Sequence, residues 1–192
     1  MSGLAKQVVS WLRSQSDMTH TSLSVVATAA LVPVIPSLSP PALATLNLST
    51  MAIQFGTQSY VAMVGGPTMF LNLPRATFGN LQARLFPKMG MVCMCTGALT
   101  LASYNVHHGA DTAMYLLTSS LVCNILNSFF LFPKTTDLMF ELRKYEEGTE
   151  ERKKAGMRFG IWHAICNIVN LGSMIANFGY IYVIASKVAG HL

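Results

Sequence analysis

The sequence predicts an all-α integral membrane protein, a bundle of four transmembrane helices with an N-terminal amphipathic, interfacial arm. Three observations point there. Hydrophobic residues make up 52% of the chain and charged residues 11%, far from the roughly one quarter charged expected of a water-soluble domain. The charges are segregated: Asp111 stands alone among apolar residues between Ala110 and Phe132, whereas Lys134 to Arg158 holds most of the acidic and basic groups. Four stretches also approach the roughly 20 apolar residues that a helix needs to cross a hydrocarbon core of about 30 Å.

These stretches place the spans at about Thr50–Leu71, Lys88–Val106, Thr112–Phe132 and Phe159–Ser186. Leu23–Ile35 is apolar too, but at about 1.5 Å per residue it reaches only about 20 Å. Pro33 near its end and Pro36, Pro40 and Pro41 beyond it remove backbone donors and end helices. Residues 1–46 are therefore read as a Pro-rich interfacial arm and 47–192 as the four-helix domain. Within the arm, residues 1–22 are Ser/Thr-rich and carry Leu4, Val8, Trp11 and Leu12 at helical spacing. They resemble a transit peptide, with an uncleaved interfacial helix as the preferred reading.

Residues 134–158 are expected to form a charged loop whose first part extends the third span as an amphipathic helix and breaks at Gly148. Pairs three or four apart, Glu141 with Lys144 and Glu150 with Lys154, are the spacing that supports an exposed helix. Ten of the thirteen basic residues fall in the two loops Arg75–Lys88 and Lys134–Arg158. Basic residues near span ends set orientation, so both termini are expected on the opposite face. The net charge of +5 is read as membrane topology and not as a nucleic-acid surface, because the basic residues interleave with glutamates instead of lining a groove.

The fourth span carries His163, Asn167, Asn170 and Asn177, at steps of four, three and seven that share one helix face. Polar groups in lipid need partners. The structural reading joins them by interhelical hydrogen bonds to Gln54 and Gln58 of the first span and to Asn124 and Asn127 of the third. The functional reading makes the stripe a polar path for a substrate; the structural one is preferred.

No catalytic group, metal site or cofactor is expected. Met89, Met91, Cys93, Met94 and Cys95 supply soft ligands for Cu(I), yet residues two apart on a helix point about 200° apart. His107 and His108 lie in a short loop, and within the spans His163 has no second histidine to complete a bis-His haem. Nucleotide-binding, serine-hydrolase and zinc-protease motifs are missing from the sequence. The four cysteines lie in apolar segments and are read as reduced thiols. Asn47-Leu48-Ser49 fits a glycosylation sequon, a short motif frequent by chance.

Three ordered blocks carry a family resemblance. The first is Gln58, Gly65–Gly66, Leu73-Pro74-Arg75, Phe78-Gly79, Gln82 and Leu85-Phe86-Pro87; the second is Asn127 and Phe132-Pro133-Lys134-Thr135-Thr136; the third is Arg158-Phe159, His163 and Asn167. Together they resemble the transmembrane-protein-205-like family over roughly Leu46–Tyr180, which implies a four-span eukaryotic membrane protein of undefined activity. Leu73, Pro74, Arg75, Phe86 and Pro87 are read as an interface turn: Leu73-Pro74-Arg75 ends the first helix, Arg75 anchors to phosphate headgroups, and Phe86-Pro87 restarts the chain into the second span.

The functional expectation is a non-catalytic accessory or assembly subunit of a larger membrane complex. Its partners would be the lipid bilayer and other membrane subunits, with no nucleic acid, and the mitochondrial inner membrane is the favoured location. A small transporter or channel is the alternative.

Overall fold

The computed structural model describes residues 24–190; the amphipathic helix expected within residues 1–22 lies outside them. Every regular element described is helical. The short apolar helix α1 (Ser24–Ser37) tightens into a 3-10 turn at Val32–Ser37. Helix α2 (residues 40–72) is composed of α-helix Pro40–Tyr60, a π-turn Val61–Gly65 and α-helix Gly66–Asn72. It is followed by α3 (Arg75–Asn105), α4 (Thr112–Leu142) and α5 (Glu150–Ala189). Helices α3, α4 and α5 are long and apolar enough to cross a membrane. Helix α2 is more polar because it carries Asn47, Thr50, Gln54 and Gln58, all buried, while Leu48, Ile53, Met63 and Val64 on its outside are exposed.

From α2 onward successive helices pack against one another, and α2 closes the bundle against α5. Exposed Ile161, Ile168, Ile175 and Tyr182 on α5 recur at seven-residue steps and form an apolar outer stripe, as a lipid-facing helix requires. At about 1.5 Å per residue, the 31 residues of α3 and 40 of α5 reach about 46 and 60 Å. Both exceed the hydrocarbon thickness, so the basic ends continue as helix where loops were expected.

The boundaries correct several expectations. Pro40 and Pro41 do not end a helix; they begin α2, in the first turn where a missing N–H has no partner to lose. The first helix therefore starts ten residues before Thr50 and cuts across the expected domain boundary at 46. Phe86 and Pro87 do not restart the chain. Pro87 lies inside the continuous helix α3, where Phe86 stacks on Phe132 of α4 at 5.1 Å, and this packing holds the helix through one missing hydrogen bond. The turn at Leu73, Pro74 and Arg75 is as expected: Leu73 is extended, Pro74 caps α3 and Arg75 is its first residue. Helix α1 lies against α3, with Ile35 buried and the Ser24 carbonyl 3.7 Å from Cys95 Sγ. It is not continuous with α2, because Leu38 and Ser39 are extended.

Gly148 takes φ +87°, a left-handed conformation that suits glycine and breaks the helix between α4 and α5. Thr149 caps α5 by accepting from the Arg152 amide at 3.2 Å, with Glu150 and Glu151 in the first turn against the helix dipole. The break also changes the ion pairs. Glu141 meets Arg158 at 3.1 Å and Glu150 meets Lys153 at 3.9 Å, replacing the expected Lys144 and Lys154.

At the opposite end, Asp111 caps α4 by accepting from the Met114 amide at 2.9 Å. Its other oxygen accepts from the Tyr104 hydroxyl at 2.6 Å and from Lys187 at 3.0 Å, tying α3, α4 and α5 together. His108 is part of this knot, stacked on Tyr104 at 4.2 Å. The Tyr104 hydroxyl, the Met114 amide and Lys187 hold the Asp111 carboxyl well below the usual carboxylate range, against the opposing effect of its partial burial. A depressed folded pKa contributes stability above the unfolded value of about 4, and that stability is lost as pH falls toward the folded value. In detergent, the melting temperature should therefore drop between pH 5 and pH 2 more steeply in the wild type than in Asp111→Asn; parallel curves would remove Asp111 from the acid response.

Candidate functional site

Two adjoining regions bring polar side chains inside the bundle: a hydrogen-bonded plug at its centre and a cavity toward the basic end. The plug is built on α2. Asn47, Thr50, Gln54 and Gln58 recur at steps of three and four and occupy one face. All four are buried. Asn47 donates to the Thr100 carbonyl at 2.9 Å and to Ser103 Oγ at 3.1 Å, and accepts from the Tyr180 hydroxyl. Thr50 shares a 2.7 Å hydrogen bond with Thr100. Gln54 donates to Ser120 Oγ at 3.0 Å.

Gln58 is the hub. Its Nε2 donates to Asn124 Oδ1 at 3.0 Å and to Ser173 Oγ at 2.9 Å, with Asn170 Oδ1 at 3.5 Å. Its Oε1 accepts from Asn177 Nδ2 at 2.8 Å. Ser120 and Ser173 close the ring at 2.9 Å. Gln58 is 1% exposed and Asn177 0%, so these groups bind one another across α2, α4 and α5. Gly97 permits the approach of α3: a Cβ there would lie 3.1 Å from Gln54 Oε1.

The plug divides the expected stripe. Gln54, Gln58, Asn170 and Asn177 come together in it, with Asn170 also at the cavity floor, whereas Asn167 and His163, about one and two turns nearer the basic end, line the cavity only. Asn124 joins the network, but Asn127 does not: it opens a second π-turn, Asn127–Leu131, and its buried amide has no hydrogen-bond partner among the described residues. The sequence reading missed Asn47, Thr50, Thr100, Ser103, Ser120, Ser173 and Tyr180. For Asn47 and Thr50 the signal was present, because they continue the helical spacing of Gln54 and Gln58. The Asn47 side chain is committed to the interior, which places the sequon in the core.

The cavity, about 920 Å³, lies between the second half of α2, the start of α3, the end of α4 and the start of α5. The π-turn at Val61–Gly65 lies at its edge. This wider turn follows just after Gln58 makes its contacts with α5, and Val61, Ala62, Met69 and Phe70 form one cavity wall. Gly66 allows the turn, since a Cβ there would sit 2.6 Å from the Val61 carbonyl oxygen. Met89, Phe132, Phe159 and Cys166 make the walls mostly apolar, while Arg75, Arg143, Arg152 and Glu147 stand at the basic end. Inside, His163 stacks on Phe159 at 5.5 Å.

Among the described residues, no three His, Cys, Asp or Glu side chains converge as metal ligands. In the methionine and cysteine run, Cys93 is buried against Met89, Phe132 and Cys166, whereas Cys95 contacts Met91 and α1. The run therefore divides between two surroundings.

Residues 50–144 match the model of a domain of unknown function, DUF4149. The chain is similar to transmembrane protein 205 of Danio rerio, 24% identical over 119 residues, which are 58% of this chain and 63% of that protein. It thus spans less than two thirds of that relative's length. No solved structure matches it.

Proposed function

We propose that this chain, a weak homologue in the transmembrane-protein-205-like family and an integral membrane bundle in contact with lipid, acts as a non-catalytic accessory or assembly subunit of a larger membrane complex. Four spans, with α2 as the first, fit this role. The plug is the observation that carries the reading. Its amides and hydroxyls bind one another between the helices, so the polar interior supplies helix adhesion. A protein of that build works through its outer surface. The basic, Ser-rich N-terminus favours the mitochondrial inner membrane as its location.

The test is the size of the particle extracted in mild detergent. The chain is expected to co-migrate with a complex several times its own 20.9 kDa. A lone small particle would count against assembly and favour the second reading, a transporter. That reading is motivated by the cavity lined by His163 and Asn167, and it requires the Gln58–Asn177 contact to open during each transport cycle.

A further inference from the structure

The cavity at the basic end combines a cationic rim with an apolar interior, and its three arginines are not equivalent. Arg143 is committed to holding helices together: it donates to Asn80 Oδ1 at 2.6 Å and to the Ala76 carbonyl at 3.2 Å, joining the end of α4 to α3. Arg152 is committed to the turn, donating to the Leu142 and Tyr145 carbonyls at 2.6 and 3.2 Å, with Glu147 at 3.7 Å. Arg75 is different. Its guanidinium lies 3.6 Å over the Phe70 ring, and Phe70 is itself held edge-on by Phe78 at 5.5 Å. Among the described residues Arg75 makes no hydrogen bond or ion pair. Its planar fork of donors lies over the ring with no acceptor among the described residues, the arrangement suited to a phosphate.

The interior has a matching gradient. Gln82 is about 10 Å below Arg75 along α3 at helical rise, and it shares a wall with His163. Neither side chain, nor that of Asn167, has a hydrogen-bond partner among the described residues. Beyond them Met89, Phe132 and Val61 are apolar. From Arg152 at the rim to Asn170 at the floor, α5 runs about 27 Å, so the cavity extends from headgroup depth well into the hydrocarbon.

We infer that this cavity is a binding site for one anionic phospholipid, with its phosphate on Arg75, its ester region beside Gln82 and His163, and an acyl chain along the Met89 and Phe132 wall. This goes beyond the assembly reading and does not depend on it. A water-soluble anion would leave the apolar walls uncovered. A neutral sterol would leave Arg75 and the wall amides unpaired. Glu147 is the one acidic group in the lining, and it faces Arg152, which leaves the Arg75 charge for the ligand.

The experiment is native mass spectrometry of the full chain, exchanged into detergent containing phosphatidylglycerol or phosphatidylcholine, with circular dichroism as the check on folding. The wild type should retain one phosphatidylglycerol and little phosphatidylcholine. Arg75→Gln should weaken retention by about tenfold or more, the value of a charged hydrogen bond. Arg75→Lys should fall between them, because it keeps the charge and loses the fork. Arg84→Gln, an exposed site outside the cavity lining, should retain lipid like the wild type, and Asn167→Trp should exclude it by filling the cavity. Equal retention by Arg75→Gln and Arg84→Gln, equal retention of both lipids, or no lipid on a folded wild type would overturn the site. Thermal stabilisation by inorganic phosphate alone, equal to that by phosphatidylglycerol, would overturn the lipid in favour of a simple anion.

Discussion

Gln58→Leu should lower the stability of the bundle by about 2 kcal/mol, read as a shift of the unfolding midpoint in mixed micelles. Gln58 makes three short side-chain hydrogen bonds, to Asn124, Ser173 and Asn177. Interhelical hydrogen bonds in membranes average about 0.6 kcal/mol each, which brings the three close to that total. The leucine also leaves the buried Asn177 amide without its acceptor, whereas Asn124 and Ser173 keep each other, and an unsatisfied buried group costs about 1–3 kcal/mol in its own right. The estimate is therefore a floor. Asn167→Leu supplies the contrast. Although Asn167 sits on the same helix as Asn177, it is exposed in the cavity, and its replacement should change stability by less than about 0.5 kcal/mol. Equal losses for the two variants would mean that the polar face acts as one unit, with no division between plug and cavity.

Gly90→Ala should cost about 1–3 kcal/mol, the range for overpacking a tight contact. Gly90 is buried where α3 crosses α4. A Cβ there would collide with Ser128 Oγ, lie 3.1 Å from Ser128 Cβ and come 3.5 Å from the Phe132 ring. Ser128 makes the proposal specific. Its Oγ is buried without a hydrogen-bond partner among the described residues, so Ser128→Ala alone should be neutral or slightly stabilising. Combined with Gly90→Ala, it removes the nearest clashing atom and should recover about 1 kcal/mol. A double-mutant cycle measures this directly, and additivity within about 0.5 kcal/mol would show that the two positions do not touch.

Both predictions concern contacts between helices, the level at which sequence reading lost resolution. The fold class was legible because lipid imposes a severe filter: few charges, long apolar runs and helical backbone leave little choice of architecture. The Gly148 break and the turn at Leu73, Pro74 and Arg75 were also legible, since each depends on local backbone chemistry. Pro40, Pro41 and Pro87 were misread for the same reason. A proline ends a helix, begins one or passes through one according to where its missing donor falls, and the Phe86–Phe132 stack that holds α3 through Pro87 comes from another helix.

By itself, the sequence determined the solvent of this protein, its helical backbone and the one-face spacing of its polar side chains. Those properties are local, set by transfer energies and by 3.6 residues per turn. Only the tertiary structure decided what that polar face does. At Asn177 three helices converge closely enough for amides and hydroxyls to bind one another; at Asn167, toward the basic end, the side chain faces the cavity that begins beside the π-turn at Val61–Gly65. The division follows from how α2, α4 and α5 pack against one another, which the spacing along α5 does not encode.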